Sequence, residues 1–124
     1  MSELTAQKII DIHNDIIERL GGTGGILNQG TIDHLIYRLG RENDAFKKAA
    51  TALDQVITGH PFFDGNKRTA FEVADMILRK QGYRIHASED EKLGALLKIA
   101  RYRCNVRQIE NWLRNNSSKL RQSF

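Results

Sequence analysis

Apolar residues recur every three or four positions along most of the chain, the spacing that places them on one face of an α-helix. Ile9, Ile12, Ile16 and Leu20 share a face behind Thr5, a capping residue, with Leu4 placed to staple against Ile9. Gly21-Gly22 stops this first helix, and residues 21–30, which hold five of the ten glycines, read as a flexible loop. A second helix, begun by Asn28 or Thr31, carries Ile32, Leu35, Ile36 and Leu39 and ends at Gly40. Asp44 opens a third, with Phe46, Ala49, Leu53, Val56 and Ile57 inward until Gly59. The fourth runs from about Asn66 to Gln81, with Ala70, Val73, Ala74, Ile77 and Leu78 inward, and Gly82 ends it. Ser88 with Glu91 forms a capping-box pattern ahead of Leu93, Leu96, Leu97 and Ala100; Asn105 with Gln108 does the same ahead of Val106, Ile109, Trp112 and Leu113. Tyr83–Ile85 is a short candidate for extended chain, and the tail from about 116 to 124 reads as frayed. The pattern predicts an all-α bundle of about six helices without repeat or linker, a single domain over 1–124.

Composition agrees with that picture and narrows it. A chain of 124 residues with 40% hydrophobic and 27% charged residues suits one folded domain with its own core. The longest apolar runs are a few residues and the start is polar, so neither a membrane span nor an export signal is expected. The single cysteine, Cys104, has no partner for a disulfide or a CxxC metal site, which fits a reducing cytoplasm; it reads as inert. The net charge of +4 is uneven: residues 98–124 hold Lys98, Arg101, Arg103, Arg107, Arg114, Lys119 and Arg121 against Glu110 alone. Such a cluster suits a solvated helix face as well as an anionic partner, and no helix-turn-helix or other nucleic-acid reader motif accompanies it.

The densest chemistry lies at residues 60–69, HPFFDGNKRT, between the third and fourth helices. Pro61, the one proline, and Gly65 prevent the helix ending at Gly59 from continuing, so 60–65 must be a fixed turn. The helix beginning near Asn66 offers unpaired backbone N–H groups and a positive dipole end, a setting for phosphate. Lys67 and Arg68 sit in that first turn, where cations oppose the dipole; an external anion would resolve the conflict. Asp64 supplies a hard oxygen ligand suited to Mg²⁺ carried by a nucleotide. His60 brings the side-chain type best suited to taking a proton near neutral pH. His13, His34 and His86 read instead as capping or packing residues, and Glu42, Asp44, Glu72 and Asp75 as solvated positions. Trp112 and Tyr102 read as partly buried rather than as stacking platforms.

The loop resembles the signature of the Fic/Doc superfamily, HxFx(D/E)(G/A)N(G/K)R, at every defining position. Lys67, where most Fic enzymes have glycine, the length and the glycine-rich segment after the first helix are closer to the Doc (death on curing) toxin branch. The resemblance implies His60 as general base, Asp64 as Mg²⁺ ligand, and Gly65, Asn66, Lys67, Arg68 and the loop amides as phosphate binders for ATP, with Phe62 buried to anchor the loop. It places a target-orienting flap at 21–30. Many AMP-transferring Fic enzymes carry a second arginine three residues after the first, where this chain has Phe71. Together with Lys67, that departure implies a toxin kinase transferring the γ-phosphate to a protein hydroxyl, with elongation factor Tu as target. An AMP transferase is the alternative, and a non-enzymatic binding protein using the basic C-terminal segment is another. No inhibitory (S/T)xxxE(G/N) pattern occurs in the sequence, so an antitoxin acting in trans is the implied partner.

Overall fold

The computed structural model describes residues 4–120. Six helices form in the expected order: α1 (Ala6–Leu20), α2 (Gln29–Gly40), α3 (Ala45–Gly59), α4 (Asn66–Lys80), α5 (Glu89–Ala100) and α6 (Val106–Asn115). Their starts follow the capping chemistry. Thr5 accepts from the Lys8 N–H, Asn28 rather than Thr31 caps α2, and Asp44 accepts from both Phe46 and Lys47. Ser88 with Glu91 and Asn105 with Gln108 close complete capping boxes. Asp44 is therefore a structural residue, half-buried and also bonded to Arg114, rather than merely solvated.

Helix α3 is the axis of the core. Phe46, Ala49, Ala50, Thr51, Ala52, Leu53, Val56 and Ile57 are all buried, so it is covered on most sides, as a wide apolar surface requires. Its alanines let α4 approach closely through Ala70, Val73, Ala74, Ile77 and Leu78, and each large side chain so buried contributes about 1.5–3 kcal/mol. Helices α2, α5 and α6 also pack against α3, while α1 packs against α4 and α2.

Four expectations need correction. The tail is not frayed throughout: β2 (Ser117–Lys119) pairs antiparallel with β1 (Tyr83–Ile85), Ile85 opposite Ser117, and the Leu120 N–H donates to Gly82 O at 2.8 Å. A three-residue strand without apolar residues carries no pattern of its own; backbone pairing creates it. Residues 121–124 lie outside the described residues. Leu20 is 55% exposed at the last position of α1, and the buried stripe of that helix is Ile9, His13 and Ile16. In α5 the buried residue is Ile99 while Leu93 is 52% exposed, because this peripheral helix meets the core along a narrow strip. Tyr102 is 73% exposed since it lies between α5 and α6, on no helix face; Trp112 is half-buried as expected. Among the described residues no helix is long and apolar enough to cross a membrane.

Candidate active site

Helix α3 ends at Gly59, where a Cβ would come within 2.7 Å of Thr31 Cγ2. His60 then turns into the left-handed region (φ 45°, ψ 61°), breaking the helix direction just before Pro61. Its ring is exposed, and Nδ1 lies 3.2 Å from Thr58 O. Because the partner is a carbonyl, Nδ1 carries a proton in this bond, so in the neutral ring the lone pair is on Nε2.

Phe62 fastens the loop to the core. It is 1% exposed, and the His13 ring from α1 stacks on it at 3.7 Å and 3°. Asn66 clasps the same residue from α4: its Oδ1 accepts the Phe62 N–H at 3.1 Å and its Nδ2 donates to Phe62 O at 2.9 Å. The Asn66 carboxamide is thus engaged within the loop. His13 Nε2–H also donates to the backbone carbonyl of Asp64 at 2.7 Å, so one buried ring orders both ends of residues 62–64. His13 is the packing histidine expected, whereas His34 and His86 are exposed.

Asp64 is held from below by that carbonyl bond and presents its carboxylate outward. Oδ2 accepts the Thr23 N–H at 3.2 Å and Oδ1 the Gly65 N–H at 2.9 Å. The Thr23 bond, then the Gly65 bond, and then the charge of Arg68 hold the Asp64 carboxyl below the usual carboxylate range, so it is anionic at neutral pH. Gly65 follows at φ 76°, where a side chain would be strained and a Cβ would sit 3.3 Å from Ile17 Cδ1.

Because Gly65 has no side chain, α4 begins without a side-chain cap. Thr5, Asn28, Asp44, Ser88 and Asn105 each supply one to the other helices. The first N–H groups of α4 therefore remain as donors at its positive end, beside the exposed Lys67 and Arg68, which make no ion pair among the described residues. This arrangement can hold an anion of several oxygens between backbone amides and two cations, with a carboxylate at one edge and an imidazole across the turn.

The glycine-rich segment lies over this loop. Ile26 bridges Phe62 antiparallel; the Leu27 and Asn28 N–H groups donate to Pro61 O at 2.7 and 3.0 Å, and the Phe63 N–H to Gly25 O at 3.3 Å. The segment is shorter than expected, 21–28, because Gln29 and Gly30 already belong to α2. Among the described residues no cluster of three or more His, Cys, Asp or Glu could hold a metal ion. Asp64 alone fits an ion that arrives with phosphate oxygens and water as its other ligands, the usual situation for Mg²⁺. His13, Thr23 and Ile26 were not among the expected site residues. His13 had a signal, its spacing four after Ile9 on the apolar stripe; Thr23 and Ile26 lie in the segment expected as a flap, and only their particular backbone contacts had no signal.

Fold and loop together define a helix–loop–helix arrangement with an imidazole at one end, a carboxylate near the other and an uncapped helix start between two cations. A sequence profile of the Fic/DOC family matches residues 3–78, which takes in α3, the loop and all but the last two residues of α4. The chain is also 31% identical over 96 residues to the protein named Protein kinase doc of Escherichia phage P1, covering 73% of this chain and 76% of that protein. The chain belongs to the Fic/DOC family, on the Doc side of it.

Proposed function

We propose that this protein is a Doc-like toxin kinase that transfers the γ-phosphate of ATP to a hydroxyl group of a target protein. The observation that carries the proposal is the uncapped start of α4, flanked by Lys67 and Arg68, which make no ion pair among the described residues, and by anionic Asp64, with Nε2 of His60 across the turn. The name of the phage relative supports a kinase. In the step proposed, the target hydroxyl oxygen attacks the γ-phosphorus while the bond from that phosphorus to the β,γ-bridging oxygen breaks; ADP leaves and the hydroxyl proton passes to His60 Nε2. Lys67, Arg68 and the amides of the α4 start bind and orient the phosphates, and Gly65 lets the backbone approach them. Asp64 would hold Mg²⁺, which supplies neutralising charge to the phosphates. Phe62 and Asn66 act by shaping the loop, with the Asn66 contribution to phosphate limited to its backbone N–H.

The family resemblance adds elongation factor Tu as the proposed target, translation arrest as the outcome, a cytoplasmic setting and an antitoxin supplied in trans. Phe71, half-buried with Lys92 Nζ 5.3 Å from its ring centroid, belongs to the packed side of α4 and offers nothing to a triphosphate. The binding-protein reading loses part of its basis: Arg114 is occupied by Asp44 and Glu110, each at 2.9 Å.

The test uses ATP labelled at either phosphate with purified elongation factor Tu. Label from the γ-position and none from the α-position is expected, with transfer lost by about 10²–10⁴-fold in His60→Ala. Label from the α-position alone would establish AMP transfer instead, and full transfer by His60→Ala would remove the base assignment.

A further inference from the structure

We infer that Tyr102 is a positioning residue for His60, acting through the backbone carbonyl of Thr58; this rests on His60 being the base proposed above. Among the described residues, His60 (φ 45°) and Tyr102 (φ 58°) are the two non-glycine residues with positive φ. They converge on one atom. Thr58 O accepts from His60 Nδ1 at 3.2 Å and from the Tyr102 hydroxyl, 44 residues away, at 3.5 Å.

That carbonyl needs outside donors. It is among the last four of α3, which lack intrahelical partners, and the Thr58 hydroxyl is turned back onto Asp54 O at 2.7 Å. With the imidazole N–H and the phenol O–H both directed at it, the oxygen has a donor for each of its two lone pairs. The Tyr102 hydroxyl fixes the direction of the Thr58 carbonyl, and that carbonyl in turn orients the His60 ring and keeps the proton on Nδ1. Nε2 is thereby left as the atom that receives a proton.

The conformation of Tyr102 argues against a purely structural role. Its N–H donates to Ile99 O at 3.0 Å and the next N–H, from Arg103, to Lys98 O at 2.9 Å, the paired bonds that close a helix C-terminus through a left-handed residue. Glycine occupies that position without steric conflict and is the usual choice. A tyrosine that is 73% exposed buries too little surface to account for its presence there. What tyrosine adds over glycine is the hydroxyl on Thr58 O.

Two variants of the full chain test this, with His60→Ala as control. Tyr102→Phe removes the hydroxyl alone; Tyr102→Gly also removes the unfavourable φ. Tyr102→Gly should melt at or above the wild-type temperature, yet both variants should lose about three- to tenfold in kcat with KM for ATP unchanged, the range of one neutral hydrogen bond. Nitrogen-15 spectra of the His60 ring in the free protein, at about pH 8.5 where an ordinary imidazole is neutral, should move from the Nδ1–H form in the wild type toward a tautomer mixture in both variants. An unchanged ring spectrum together with wild-type kcat in Tyr102→Phe would overturn the inference, whatever Tyr102→Gly does. If neither wild type nor His60→Ala transfers phosphate, the transfer reading fails separately, and the ring spectrum still decides whether Tyr102 governs His60.

Discussion

Replacing Asn66 by alanine separates a residue that builds the loop from one that binds phosphate. The carboxamide is buried, with Asn66 9% exposed, and it satisfies both the N–H and the C=O of Phe62, which have no other hydrogen-bond partner among the described residues. Each buried backbone group left unpaired costs about 1–3 kcal/mol. The His13 stack and the Ile26 bridge still hold Phe62, so water reaches the vacated groups only in part. A net loss of about 2–4 kcal/mol follows, a large share of the stability of an ordinary domain. With a urea slope of about 1.5 kcal/mol/M, the unfolding midpoint should fall by roughly 1.5–2.5 M. Equilibrium urea unfolding followed by circular dichroism measures it, alongside calorimetric titration of Mg-ATP into the folded variant. A midpoint within about 0.3 M of wild type, well below that shift, combined with a large loss of nucleotide affinity would refute the reasoning, because the carboxamide would then serve phosphate rather than Phe62.

Two further outcomes concern the segment over the loop. At Gly22 (φ 119°) a Cβ would lie 2.7 Å from Asp64 Oδ2 and 3.1 Å from Ile17 Cδ1, so Gly22→Ala should displace residues 21–28 and break the Thr23–Asp64 bond. Amide exchange at Thr23 should accelerate by at least about tenfold while the melting temperature barely moves, since residues 21–28 are exposed; unchanged exchange would count against the contact. The pH dependence follows from the lowered pKa of Asp64. A carboxyl depressed in the folded state adds stability that is present above its unfolded value, here 3.8, and lost as pH falls through the lower folded value. The Thr23 bond should therefore persist at neutral pH and release only in acid, and carbon-13 titration of the Asp64 carboxyl with a midpoint at or above 3.8 would contradict the arrangement.

The helices were readable because local chemistry specifies them. Thr5, Asn28, Asp44, Ser88 and Asn105 each accept a backbone N–H of their own first turn, an interaction complete within four residues of chain. The loop was readable for the same reason: Pro61 fixes its own φ and Gly65 admits the left-handed backbone a turn needs, and His60, Asp64, Lys67 and Arg68 lie around that turn. Misreadings arose where a position depended on what lies across from it. Leu93 and Ile99 satisfy the same helical spacing, and only the narrow contact of α5 with the core selects Ile99. Ser117–Lys119 is polar and short, and becomes a strand because Tyr83–Ile85 is there to pair with it.

By itself, then, the amino-acid sequence determined six helices, their caps and a ten-residue stretch bearing an imidazole, a carboxylate and two cations around a helix start. The tertiary structure decided how that loop is held and how its groups are presented. His13 from α1 reaches Phe62 and Asp64 across some fifty residues, Thr23 reaches Asp64 across 41, and Tyr102 reaches Thr58 across 44. The spacing of His13 marks it as inward-facing, but the partner in each of these contacts has no local signature, because a backbone amide, a backbone carbonyl and a ring face are offered by many residues alike. Which of them meet is set by the packing of α1, α3, α4 and the α5–α6 corner around a shared core, and packing is a property of the whole chain.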